Sequence, residues 1–90
     1  MPESVQETVR AHLDHGRACL DKGKYDDAIA DYTKAIALDP NDANVYTNRG
    51  VAYGKKGEVG RAIADFRKAL EIDPSDQDAE ENLRRLGVTP

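Results

Sequence analysis

The chain has no tryptophan, one phenylalanine, one methionine and one cysteine among 90 residues. A core built around large aromatic rings is excluded, so alanine, aliphatic side chains and the four tyrosines must supply it. A lone Cys19 cannot close an internal disulfide, which fits a reducing compartment and leads us to expect a cytoplasmic location. There is no apolar run near the roughly 18 residues that a membrane-spanning helix needs, so no membrane span is expected. Met1-Pro2-Glu3-Ser4 is not a basic segment leading into an apolar one, so no secretory signal is expected. Cationic charge is not in excess. A formal net charge of −4 argues against non-specific binding to nucleic acid or to an anionic membrane. This length suits a single small domain, 1–90.

What the chain does have is repetition. Residues 9–42 superpose without a gap on residues 43–76, and 13 of the 34 positions are identical. Gly16 falls on Gly50, Gly23 on Gly57, Ala28-Ile29-Ala30-Asp31 on Ala62-Ile63-Ala64-Asp65, and Asp39-Pro40 on Asp73-Pro74. A fixed period in this range denotes stacked supersecondary units, which bury their apolar faces against one another rather than in one globular core.

Each unit reads as a helical hairpin. Ser4-Val5-Gln6-Glu7 fits a capping box that opens a helix over 5–22, and Gly23 suits a left-handed stop. Ala28, Ile29, Tyr32, Ala35 and Ile36 recur at helical spacing in a second helix over 25–38. That helix ends at Asp39-Pro40, because proline disfavours the α conformation of the residue before it. Asn41 or Asp42 caps a third helix over 42–56, and a fourth spans 59–72. Ser75 or Asp76 caps a fifth over about 76–86. Loops of two to four residues force neighbouring helices to run antiparallel.

These residues resemble tetratricopeptide repeats, whose pattern is W-x₂-L-G-x₂-Y, then A-x₃-F, then P, on this period. The second unit supplies Tyr46, Arg49, Gly50, Tyr53, Ala62, Phe66 and Pro74; the first supplies His12, His15, Gly16, Cys19, Ala28, Tyr32 and Pro40. The departures are Arg49 in the second unit and His12, His15 and Cys19 in the first. The resemblance implies an all-α, right-handed α-solenoid: repeat 1 over 9–42, repeat 2 over 43–76, and a capping helix over 76–86. Gly16, Gly50, Ala28 and Ala62 are small where paired helices would cross, with Tyr32 and Phe66 beside them. Arg84 falls where Gly16 and Gly50 stand, which prevents a third close crossing. The array is therefore expected to end with the fifth helix, its Leu83 and Leu86 covering the second hairpin while Glu80, Glu81, Arg84 and Arg85 face water.

The resemblance also implies function. In this family the first helix of each hairpin lines a concave groove that holds a peptide or a partner's helix. The matching positions are Arg10, Leu13, Asp14, Arg17 and Leu20, then Asn44, Thr47, Asn48, Val51 and Lys55. On the cap, the resemblance adds Asp78, Glu81, Asn82 and Arg85 as candidates. Asn48 suits paired hydrogen bonds to an extended backbone, and Arg17, Lys55 and Arg85 suit a carboxylate. One family mode clamps the acidic tails of chaperones. It needs lysine, arginine and asparagine where this chain has Leu13, Arg17, Asn48, Asp78 and Asn82. Only Asn48 fits, so no chaperone carboxylate clamp is expected.

Chemistry finds little support. His12, His15 and Cys19 share a helix face, and imidazole and thiolate are good zinc or copper ligands. One helix face rarely completes a tetrahedral site, however, and the chain has no other His or Cys. They are read instead as imperfect core residues against the second helix. Asp26, Asp27 and Asp31 have no evident basic partner and are read as helix-start carboxylates. Gly54, Gly57 and Gly60 follow no strand and are read as turn glycines. No catalytic residue, metal or cofactor is expected. The reading is a protein-binding module for an unidentified peptide or protein, a monomer or weak homo-oligomer. The alternative is self-assembly through the ends of the short array.

Overall fold

A computed structural model describes residues 4–89 as five helices with no strand. They are α1 (Val5–Asp21), α2 (Tyr25–Leu38), α3 (Ala43–Lys56), α4 (Val59–Ile72) and α5 (Gln77–Arg85). α1 packs on α2 and α3 on α4; α2 joins the hairpins by packing on α3, and α4 carries α5. The result is an elongated stack of 47 × 27 × 16 Å.

The helix boundaries follow from local chemistry. Ser4 Oγ accepts the Glu7 N–H at 3.1 Å, Asp42 Oδ1 the Asn44 N–H at 3.0 Å, and Asp76 Oδ1 the Ala79 N–H at 3.0 Å. Of the alternatives at the later caps, the aspartates therefore take the role. The hairpin turns share one geometry. Gly23 and Gly57 adopt φ of +77° and +93°, letting Lys24 N–H reach Cys19 C=O at 2.8 Å and Glu58 N–H reach Tyr53 C=O at 2.9 Å. Asp39 and Asp73 leave the helix in an extended conformation ahead of their prolines. Their carboxylates accept the N–H groups of Asn41 and Ser75 at 3.1 and 3.0 Å. Only Gly57 of the three glycines read as turn residues lies in a turn, since Gly54 is within α3 and Gly60 within α4. Both are small residues on helices rather than breakers.

The core repeats with the sequence. A Cβ on Gly16 would stand 2.6 Å from Tyr32 Cε1, and one on Gly50 would stand 2.7 Å from Phe66 Cε1. Each glycine is thus the seat of the next helix's ring. α3 serves both hairpins. Val45 and Ala52, seven apart, belong to the first core cluster, while Tyr46 on the adjoining face belongs to the second. α5 reproduces the backward-facing set: Ala79 stands where Val45 does and Leu86 where Ala52 does, and Ala79 and Leu83 are fully buried. Arg84 and Arg85 are exposed, each paired with the glutamate four residues earlier.

Candidate functional site

The stack sets α1, α3 and α5 in a row, with α3 touching both neighbours. Two hollows open along that row. The first, about 220 Å³, lies where α1 meets the start of α3 and is lined by Gln6, Val9, Arg10, Leu13, Asp14, Arg17, Asp42 and Asn44. The second, about 300 Å³, lies between α3 and α5 and is lined by Gly50, Val51, Gly54, Lys55, Phe66, Asn82, Arg85 and Leu86. Arg10, Leu13, Arg17 and Asn44 thus come together at one hollow, and Val51, Lys55, Asn82 and Arg85 at the other. Gln6 and Asp42 line the first hollow without having been anticipated. The signal was available for Asp42, since a residue capping α3 stands at the head of that helix.

Asn48 and Thr47 lie outside both hollows. The Asn48 side-chain amide donates to the Asn44 carbonyl of its own helix at 2.8 Å, as Asn82 does to Asp78. Thr47 is a correction. It is buried, with 6% of its surface exposed, and its hydroxyl donates to Asp76 Oδ2 at 2.8 Å. Its position in α3 faces the incoming loop before α5, so it joins helices and presents nothing to a ligand.

The electrostatics of the two hollows differ. Arg10 and Arg17 are offset by Asp14 and Asp42 in the first. The second holds Lys55 and Arg85 with no acid in its lining, although Arg85 donates to Glu81 at 2.8 Å. Apolar Val51, Phe66 and Leu86 line the second as well, so it offers a shallow apolar seat with two cations at its edge.

A separate polar cluster sits at the α1–α2 contact. Asp31, read as a helix-start carboxylate without a basic partner, lies in the middle of α2 and is 8% exposed. Its Oδ2 is hydrogen-bonded to His15 Nδ1, and its Oδ1 lies 3.5 Å from His12 Nδ1. The partners are 16 and 19 positions away in sequence, a pairing that only the hairpin creates. Cys19 is buried as expected, but the His15 side chain is 69% exposed and does not join the core. The second unit explains why. Its equivalent residue, Arg49, also lies at the core's edge, and its Nε and Nη2 donate to Asp65 Oδ2 and Oδ1, both at 2.8 Å. That bond to Asp65 pushes the guanidinium pKa above its ordinary value, outweighing burial, which acts the other way. The Arg49 guanidinium also stands 5.8 and 5.6 Å from the ring centres of Tyr46 and Tyr53.

Residues 16–57 match the family model for the TPR repeat, and residues 43–76 match that for the tetratricopeptide repeat. The chain belongs to the tetratricopeptide repeat family. Solved tetratricopeptide domains share its fold. The Arabidopsis OM64 TPR domain superposes with a TM-score of 0.82 at 26% identity, over 93% of this chain and 75% of that one. The first TPR of Spaghetti (RPAP3), bound to the HSP90 peptide SRMEEVD, superposes with a TM-score of 0.78 at 27% identity, over 90% of this chain and 72% of that one. The tetratricopeptide repeat is a protein-interaction fold, and one of these relatives holds a peptide. Among the described residues no helix is long and apolar enough to cross a membrane.

Proposed function

We propose that this chain binds an extended peptide or partner segment along the row formed by α1, α3 and α5, without catalysis. The observation that carries the reading is the gathering of Arg10, Leu13, Arg17 and Asn44 at one hollow and Val51, Lys55, Asn82 and Arg85 at the other. These residues are scattered over 76 positions of sequence (10–85) and meet on one face only through the stacking. The relative bound to an HSP90 peptide supports a peptide as ligand.

The chemistry favours a ligand with an acidic or carboxylate-bearing part at the second hollow and a less charged part at the first. A clamp for a chaperone tail is disfavoured. Leu13 and Asp78 stand where that clamp needs cations, and a carboxylate at Asp78 repels the tail's own acids. Pull-down with the 90-residue chain tests the groove. Partners retained by wild type and lost by Arg17→Glu/Arg85→Glu, one substitution at each hollow, support it, and an unchanged partner set overturns it. Fluorescence anisotropy with labelled SRMEEVD tests the clamp. Weak or no binding is expected, and tight binding that Asn48→Ala abolishes would restore the clamp.

A further inference from the structure

We infer that His15, Cys19 and Asp31 form a binding site for a divalent first-row metal ion of the zinc class, at the contact between α1 and α2. The three positions correspond to Arg49, Tyr53 and Asp65 of the second repeat. There the buried carboxylate meets a permanent cation. Asp65 is 5% exposed and receives two N–H groups from Arg49. Asp31 is buried to a similar degree, yet its neighbours are the imidazoles of His15 and His12 rather than a guanidinium. A buried carboxylate needs compensating charge.

Where the second repeat has a cation and a phenol, the first has His15 and Cys19, both metal donors. One atom each from His15, Cys19 and Asp31 lie within 4.8 Å of one another. Cys19 Sγ is 3.9 Å from His15 Nε2. Metal–ligand bonds of about 2.0–2.3 Å set tetrahedral edges of about 3.3–3.8 Å, so movements of about 1 Å close the site. His15 exchanges its hydrogen bond to Asp31 for the metal, and its 69% exposed side chain has the room to do so. The sequence argued against a metal because one helix face rarely completes a tetrahedral site and there is no other His or Cys, and the fold answers this by bringing the Asp31 carboxylate from α2. A thiolate and a carboxylate balance the charge of a divalent ion, with the Cys19 proton released to solvent. Three protein ligands leave a fourth position for water, reached past the exposed imidazole. His12 Nδ1 lies 3.5 Å from the other oxygen of the Asp31 carboxylate.

Titration of the reduced 90-residue chain with Co²⁺ tests the site. One saturable equivalent with a thiolate-to-cobalt charge-transfer band, displaced by one equivalent of Zn²⁺, is expected. Zn²⁺ affinity should fall about 10- to 100-fold in His15→Gln. Cys19→Ser should abolish the band. Because Cys19 is buried and its replacement perturbs the core, the exposed His15→Gln variant, checked by circular dichroism, decides the matter. Zn²⁺ should also slow alkylation of Cys19 in wild type and not in His15→Gln. Absence of the cobalt–thiolate band in excess metal, or unchanged Zn²⁺ affinity in folded His15→Gln, overturns the site.

Discussion

Thr47 and Asp76 are bound across the junction between the second hairpin and the cap. The Thr47 hydroxyl donates to Asp76 Oδ2 at 2.8 Å while Asp76 Oδ1 caps α5 through the Ala79 N–H. One carboxylate therefore both starts the fifth helix and ties it to the third. Asp42 caps α3 through the Asn44 N–H at 3.0 Å. Replacing Asp42 by Ala should cost about 1 kcal/mol. Replacing Asp76 by Ala should cost more, about 1.5–2 kcal/mol, because it also removes the link to α3 and leaves the Thr47 hydroxyl only the Ala43 carbonyl, at 3.1 Å, as acceptor. Urea denaturation of the two variants compares them, and an Asp76→Ala loss no larger than that of Asp42→Ala would show the cross-link to be without weight.

Two glycines of α3 should respond to alanine with opposite sign. At Gly50 the new methyl would meet the Phe66 ring at 2.7 Å, and the overpacking should cost about 1–3 kcal/mol. At Gly54 the nearest atom, Ala62 Cβ, is 3.8 Å away, an ordinary contact. Gly54→Ala should therefore raise stability by up to about 1 kcal/mol through helix propensity. Thermal melts of both variants read the sign directly.

Arg49 is held by a buried partner, so its loss should be severe. Arg49→Ala leaves Asp65 uncompensated and should destabilise the chain by about 3 kcal/mol. The double variant Arg49→Met/Asp65→Leu should recover most of that loss, because removing both charges removes the desolvation cost. Equilibrium unfolding of the single and double variants tests this, and a double variant as unstable as the single would refute it.

Tyr32 makes the only difference in ring chemistry between the two glycine seats. Its hydroxyl is buried and, among the described residues, has no hydrogen-bond partner, whereas Phe66 fills the equivalent seat without one. Tyr32→Phe should raise stability by about 1 kcal/mol at neutral pH. Burial first, offset in part by Arg17, pushes the phenol up to about 12. The folded state thus holds this proton more tightly than the unfolded state, whose value is the ordinary one near 10. The associated stability is complete below pH 10 and is lost as pH rises through 12. Alkaline unfolding should therefore begin at lower pH in wild type than in Tyr32→Phe, and identical alkaline transitions would contradict the burial of the phenol.

How far the sequence could be read depended on the range of the interaction. Helix limits were legible to within a residue because their causes are local: Gly23, Asp39-Pro40 and Asp42 act on neighbours in the chain. The glycine–ring pairs were legible because the period shows them twice. Asp31 was misread because its partners, His12 and His15, lie on another helix. Thr47 was misread because helical position alone does not say which side the loop before α5 will cover.

The sequence by itself determined that the chain would be a stack of helical hairpins, since periodic apolar residues, turn glycines and aspartate–proline stops are local instructions repeated at one interval. Only the tertiary structure decided which polar residues face one another. Whether Asp31 and Asp65 meet imidazole or guanidinium, and whether a residue of α3 is open to a ligand or sealed by the cap, depends on helices brought together by packing. Charge compensation in a buried site is a property of that packing and not of any one segment.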